Sequence, residues 1–359
     1  MSKTSLHALR KRFDRPVGDY GHETLVGVAV AIWTFGQLVF THATVGQLPF
    51  AREFSLGVCC ASVALGCLVA AIASRQFEFE PAGLAGLGVF LFVAITVWNK
   101  LRSPRLLVLL LLIVAARQMN VRRLLRFYVG GAVAALFVVA VLAVLGVTTI
   151  NLNPSIGFGF ANAKTVACLL MGIVAAICIS EDRRGMRVPC AVLCLLCVVV
   201  TMFVLRVRSY AVFMALMGVC VLGRDVLARF AAGLMVHREF SSFVAALPIV
   251  LFCLSQDATK FYPFASFVNG GYKSILSQYG FATLCCMAMV YVRAVLLASR
   301  EQHTVLAWAL LCIYLLVCVR EANVTLLEFN GMLLFFALGM NKGVLGLDEP
   351  KTYSSARGE

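Results

Sequence analysis

From Arg187 to Gly223 the chain is a long apolar tract, broken near its middle by Leu205-Arg206-Val207-Arg208-Ser209-Tyr210. An arginine at bilayer depth costs about 2.5–3.5 kcal/mol on insertion scales, so two of them between apolar spans belong at a water-exposed end or against anions. Their spacing narrows the choice. Residues two apart on an unbroken helix point to nearly opposite sides, so both arginines can meet one ligand only where the helix ends or unwinds. The spacing therefore predicts a break at or beside Val207. At this level a hairpin tip between membrane helices and an anion site both remain open.

The remainder of the chain has the same character. Hydrophobic residues make up 61% of the 359 positions and charged residues only 13%, and apolar runs of membrane-spanning length recur throughout, which excludes an ordinary soluble domain. The expected fold class is an all-α, polytopic integral membrane protein. Most of the 14 cysteines fall inside apolar runs, where free cysteine behaves as a small hydrophobe, so no disulfide framework is expected. Cys194 and Cys197 form a CxxC in mid-span with no histidine or carboxylate nearby; neither a metal site nor a cofactor is expected. The net charge of +14 is scattered through short loops, which fits membrane topology and membrane lipids better than nucleic acid.

Apolar spans are expected at 24–41, 54–73, 82–98, 105–116, 127–149, 163–180, 188–205, 209–222, 240–256, 274–292, 304–319 and 325–341, about 12 transmembrane helices in all. Residues 1–22 read as a basic cytoplasmic head, 23–341 as the transmembrane helical domain and 342–359 as a cytoplasmic tail. With both termini cytoplasmic, most Lys and Arg residues fall inside, as the positive-inside rule requires. Dropping the short fourth span inverts every later loop and reverses that bias, so it is retained. The basic residues left on the outer face, among them Arg105, Lys164, Arg206, Arg208 and Arg320, gather at the mouths of spans together with His42, Asn162, Asp257, Asn269, Tyr272 and Glu321. That face looks built for anions.

Three outer segments carry further signals. After the fifth span, Gly157-Phe158-Gly159-Phe160-Ala161-Asn162 leads into an apolar helix with Lys164 in its first turn. Asn162 can cap that helix, and the helix start with its lysine also suits a phosphate or a sugar hydroxyl. After the ninth span, Asn269-Gly270-Gly271-Tyr272 is a turn signal carrying groups that hydrogen-bond and stack on sugars. The last outer segment holds Arg320-Glu321, with Glu328 and Asn330 inside the final apolar run. Such residues either join helices or line a cavity.

The order of these segments along the chain, and their common side, resembles the bacterial O-antigen and capsular polysaccharide polymerases, which are themselves similar to O-antigen ligases. The resemblance is carried by Gly157 to Asn162, Arg206-Val207-Arg208-Ser209, Asn269 to Tyr272 with Gln278-Tyr279-Gly280, and Arg320-Glu321 followed by Asn330; Ala115-Ala116-Arg117 to Arg126 resembles the family's basic cytoplasmic loop. It spans roughly residues 100–340. Where that family often has His-Pro, this chain has Phe160-Ala161, so a histidine base at that site is missing.

The resemblance implies a helical bundle like that of the membrane glycosyltransferases of the C type, in the bacterial cytoplasmic membrane with an extracytoplasmic active face. It implies transfer of a growing polysaccharide from a polyprenyl-pyrophosphate carrier to another lipid-linked repeat unit, without metal. Arg206, Arg208, Lys164 and Arg320 would bind the pyrophosphate. Asn162, Asn269, Tyr272 and Asn330 would contact sugar, and Glu321 or Asp257 would take the acceptor's proton. A chain-length regulator and a flippase are the expected protein partners. A ligase-like transferase uses the same donor with a different acceptor, and a transporter or flippase of lipid-linked sugars is the rival from another class.

Overall fold

The computed structural model describes residues 20–43, 57–66, 105–116, 120–146, 158–160, 162–181, 184–235, 305–321 and 326–334, with isolated positions from 88 to 99 and Asn323. The described residues are helices and turns; the only β pairing among them is a single antiparallel bridge between Ala43 and Phe160. In chain order the helices are α1 (Tyr20–Gln37), extended by a π-turn over Leu38–His42, α2 (Gly57–Gly66), α3 (Arg105–Ala116), α4 (Val121–Val144) and α5 (Ala163–Ser180). They continue with α6 (Arg187–Val199), extended by a π-turn over Val200–Val204, then α7 (Arg208–Leu222), α8 (Arg224–Met235) and α9 (Val305–Arg320).

Four stretches, Glu23–His42, Val121–Val144, Ala163–Ser180 and Arg187–Val204, are long and apolar enough to cross a membrane, and α2, α3, α7 and part of α9 are shorter apolar helices. The chain is thus a helical membrane protein. Its surface agrees with its composition. In α4 the buried positions Leu124, Tyr128, Ala132, Ala135 and Val139 recur at helical spacing, while Val133, Phe137 and Val141 form an exposed stripe that is equally apolar. A helix apolar on both faces belongs in lipid. Helix α5 is buried along nearly its whole length, whereas α6 exposes Val188, Val192, Leu195, Val199 and Phe203, so α5 is central and α6 peripheral.

Lipid tails are as apolar as leucine, so packing and close approach, not water exclusion, hold such helices together. Gly131 of α4 lies against the backbone of Ala31, where an added Cβ would come within 2.6 Å of the Ala31 carbonyl oxygen. Gly172 of α5 faces the Phe329 carbonyl and the Tyr128 hydroxyl in the same way. Gly218 packs α7 on Cys194 of α6.

Polar contacts at the helix ends give the relative directions. Arg123 near the start of α4 reaches Glu23 at 3.3 Å near the start of α1, so those two run parallel. Arg126 pairs with Glu181 at the end of α5 at 2.7 Å, so α4 and α5 are antiparallel. Arg187 at the start of α6 pairs with Asp225 just beyond α7 at 2.6 Å. At the other end, Arg105 at the start of α3 reaches Gln37 at the end of α1, and Ser209 at the start of α7 reaches Glu321 at the end of α9.

Helix boundaries match expectation to within about one residue for α3, α5, α6 with its π-turn, α7 and α9, and less well for α1 and α4. Helix α4 begins at Val121 instead of 127, because Asn120 caps it through the Arg122 N–H and because Arg123 and Arg126 find carboxylate partners on α1 and α5. The expected final span at 325–341 is not regular α-helix where it is described. Residues 326–334 are turns and a short 3-10 turn, held by bonds such as Phe329 N–H to Leu326 C=O at 3.1 Å. Glu328, Asn330 and Gly331 break the helical pattern there. The expected spans at 240–256 and 274–292 lie outside the described residues.

Candidate functional site

One end of the bundle gathers the close of α1, the start of α3, the residues leading into α5, the start of α7 and the close of α9. The break expected beside Val207 is present. After the π-turn, the Leu205 N–H reaches the Val200 carbonyl at 3.0 Å and the Val207 N–H reaches the Thr201 carbonyl at 2.9 Å. Arg206 takes a left-handed backbone, φ 56°, and α7 restarts at Arg208. Burial alternates through the break: Leu205 and Val207 are buried, Arg206 and Arg208 exposed. The helix is thus interrupted between the two arginines, and both are left on the exposed side of the break. No side chain caps α7, so its first N–H groups add partial positive charge behind the arginines.

Asn162 is the cap of α5: its side-chain oxygen accepts from the Thr165 N–H at 2.9 Å and from the Thr165 hydroxyl at 3.0 Å. Lys164 is exposed in the first turn. The preceding Phe158 and Gly159 are both left-handed, φ 45° and 85°, and turn the chain so that Phe160 is fully buried and bridged to Ala43. Glu321 is buried and accepts the Ser209 hydroxyl at 3.4 Å. Asn330 is buried, and its side-chain oxygen accepts the Met332 N–H at 3.1 Å, a local turn contact. Arg320 closes α9. Asp257, Asn269 and Tyr272 lie outside the described residues.

A second polar cluster at this end was not assembled by sequence reasoning. Glu328 has only 2% of its side chain exposed, and His42, with 18% exposed, holds it through Nε2 at 3.1 Å. An Arg105 guanidinium nitrogen lies 3.9 Å from the same carboxylate oxygen and donates to the Gln37 side-chain oxygen at 3.3 Å. That oxygen also accepts the Thr41 hydroxyl at 3.2 Å. The Phe329 ring meets the imidazole edge-on, centroids 4.6 Å apart, and the Tyr128 hydroxyl donates to the Glu328 backbone carbonyl at 3.3 Å. A buried carboxylate this dry requires partners, and it has a histidine and an arginine. The signal available beforehand was the polar residues Gln37, Thr41 and His42 at the end of an apolar run, with Glu328 in another; nothing in the sequence said that they meet.

Both clusters lie at the same end of the bundle, one at the start of α7 and the close of α9, the other at the close of α1 and the start of α3. The CxxC cysteines do not pair with each other in this fold. Cys194 meets Cys178, sulfurs 3.9 Å apart, toward the opposite end of α5. Among the described residues, no group of three or more His, Cys, Asp or Glu is placed to hold a metal ion.

Comparison with family models, with curated proteins and with solved structures finds no match to this chain.

Proposed function

We propose that the chain is a polysaccharide polymerase, a membrane glycosyltransferase that joins polyprenyl-pyrophosphate-linked oligosaccharides on the outer face of a bacterial cytoplasmic membrane. The observation that carries this reading is the unwound break between α6 and α7, at which both Arg206 and Arg208 are exposed at one end of the bundle. A pyrophosphate on a lipid carrier lies at headgroup depth because its tail stays in the bilayer. Arginines at the end of a span meet it at that depth, and their planar forks match phosphate oxygens. Lys164 at the start of α5 adds a third cation at the same end.

Arg122, Arg123, Arg126, Arg184, Arg187, Arg224 and Arg229 lie toward the end opposite the break, against Arg105, Lys164, Arg206, Arg208 and Arg320 at the break end; the excess supports a cytoplasmic assignment for the former. The alternating helix directions from α3 to α7 agree with the order of spans in that stretch of the proposed topology of about 12 spans with both termini cytoplasmic. In the reaction the acceptor hydroxyl attacks the anomeric carbon while the pyrophosphate leaves already ionised. The protein's task is to hold that charge, orient the two chains and take one proton.

The test is reconstitution of the full chain in liposomes with lipid-linked oligosaccharides extracted from its native membrane. Loss of chain lengthening in Arg206→Ala and Arg208→Ala, both checked for insertion, is expected; normal lengthening in both variants overturns the reading. Polymer that remains on its carrier identifies a polymerase, and polymer moved to another acceptor identifies a ligase.

A further inference from the structure

The acceptor's proton needs a destination, and the fold offers one besides the Glu321 and Asp257 expected from the sequence. Glu321 is buried and already accepts the Ser209 hydroxyl. Glu328 is more enclosed still, but a histidine stands in front of it. An ionised carboxylate can only accept hydrogen bonds, and Arg105 at 3.9 Å favours that ionised state. The imidazole nitrogen facing it, Nε2, must therefore carry a hydrogen. In a neutral ring the lone pair is then on Nδ1, and among the described residues Nδ1 has no hydrogen-bond partner.

The geometry points to His42 as the proton acceptor of the transfer reaction, with Glu328 as its positioning residue. This rests on the transferase reading above. Three placements support it. The ring belongs to the residue just before Ala43, whose bridge to Phe160 ties it to the segment leading into Asn162 and Lys164. The edge-on Phe329 ring and the Glu328 bond fix the imidazole from two sides. The side chain remains partly open while the carboxylate behind it is closed.

The step balances as follows. The acceptor sugar's hydroxyl oxygen forms a bond to the anomeric carbon of the donor. The bond from that carbon to the pyrophosphate oxygen breaks, and its electron pair leaves with the pyrophosphate, held by Arg206 and Arg208. The hydroxyl proton moves to Nδ1 of His42. Glu328 then faces an imidazolium through the same Nε2 hydrogen bond, so positive charge on the ring is stabilised as it forms. The proton passes to water when the product leaves, which restores the ring.

The experiment uses the full chain in liposomes with the same extracted lipid-linked oligosaccharides, comparing wild type with His42→Gln, Glu328→Gln and Glu328→Asp. Glutamine at 42 retains an N–H donor for Glu328 and so protects the buried carboxylate. Expected is a fall in kcat of about a hundredfold or more for His42→Gln with little change in KM, the size typical of a lost general base. Glu328→Gln should lose about tenfold or more, and Glu328→Asp should recover part of that loss. In parallel, nitrogen-15 spectra of histidine-labelled wild type at neutral pH should show His42 protonated at Nε2, with that preference lost in Glu328→Gln. Wild-type kcat in His42→Gln, or a wild-type ring protonated at Nδ1 alone, overturns the assignment. The second readout needs no variant at position 42 to fold. If wild type lengthens chains and the arginine variants do not while His42→Gln does, only this inference falls; if wild type itself lengthens nothing, the transferase reading falls and takes it along.

Discussion

Ala43 pairs with Phe160 in an antiparallel bridge, so the residue after His42 and the residue two before Asn162 are joined through their backbones. Phe160 is fully buried there. Its surroundings are closed to solvent, and an apolar ring fills them. Phe160→His should therefore not raise chain lengthening above that of wild type. It should lower stability by about 2–3 kcal/mol through a buried, unpaired ring nitrogen, whereas Phe160→Leu should cost less, about 1.5 kcal/mol or below. Thermal unfolding in nanodiscs, followed by tryptophan fluorescence, checks both.

Arg206 combines a functional charge with a left-handed backbone, φ 56°. A residue with a Cβ pays about 1–2 kcal/mol for that conformation, and glycine does not. Arg206→Ala and Arg206→Gly remove the same charge but differ in strain. Both are expected to lose chain lengthening to the same extent, while the glycine variant unfolds at the higher temperature. An active glycine variant beside an inactive alanine variant points to backbone shape as the requirement and removes the arginine from the anion site.

Two adjacent glycines in α4 predict opposite outcomes. At Gly131 an added Cβ would lie 2.6 Å from the Ala31 carbonyl oxygen and 2.9 Å from its Cα, backbone atoms that cannot swing aside. Gly131→Ala must push α1 from α4, at a cost of about 1–3 kcal/mol. Gly130 is exposed, with nothing within 4 Å of such a Cβ. Gly130→Ala should instead stabilise the protein by up to about 1 kcal/mol, through helix propensity. Paired denaturation curves measured in one detergent test the contrast.

What could be read from the chain was local. Asn162 followed by an apolar run marks the start of α5, and Glu181 follows its last residue. Two arginines in a span imply a break, and the break is there. The pairing of His42 with Glu328 was not readable, because 286 residues separate them and only the packing of α1 against the final segment brings them together. Nor was the turn structure of 326–334. Leu326, Leu327, Phe329 and Met332 are as apolar as any span, and what decides between helix and turn is that Glu328 must face inward to His42 and Arg105 while Gly331 lets the chain pass Tyr128. The early start of α4 depended likewise on carboxylates contributed by α1 and α5.

Asn162 has two possible employments, and one substitution separates them. Its side-chain oxygen is committed to the Thr165 N–H and hydroxyl, while the rest of this exposed side chain contains an amide N–H₂ that a sugar can use. Asn162→Ala removes both functions and should cost about 1 kcal/mol of stability, as lost caps do. Asn162→Asp keeps the accepting oxygen and places a negative charge at a helix start, which is favourable by about 0.3–1 kcal/mol, but it has no N–H₂ to donate. If the residue is a cap alone, Asn162→Asp should be as stable as wild type and lengthen chains normally. If the amide also holds sugar, the aspartate variant should be stable and yet raise KM severalfold, since a carboxylate facing a sugar and a nearby pyrophosphate repels the donor that Lys164 and the arginines attract. Unfolding midpoints and KM measured on the same preparations give the answer, and the alanine variant fixes the scale of the capping contribution against which the aspartate is judged.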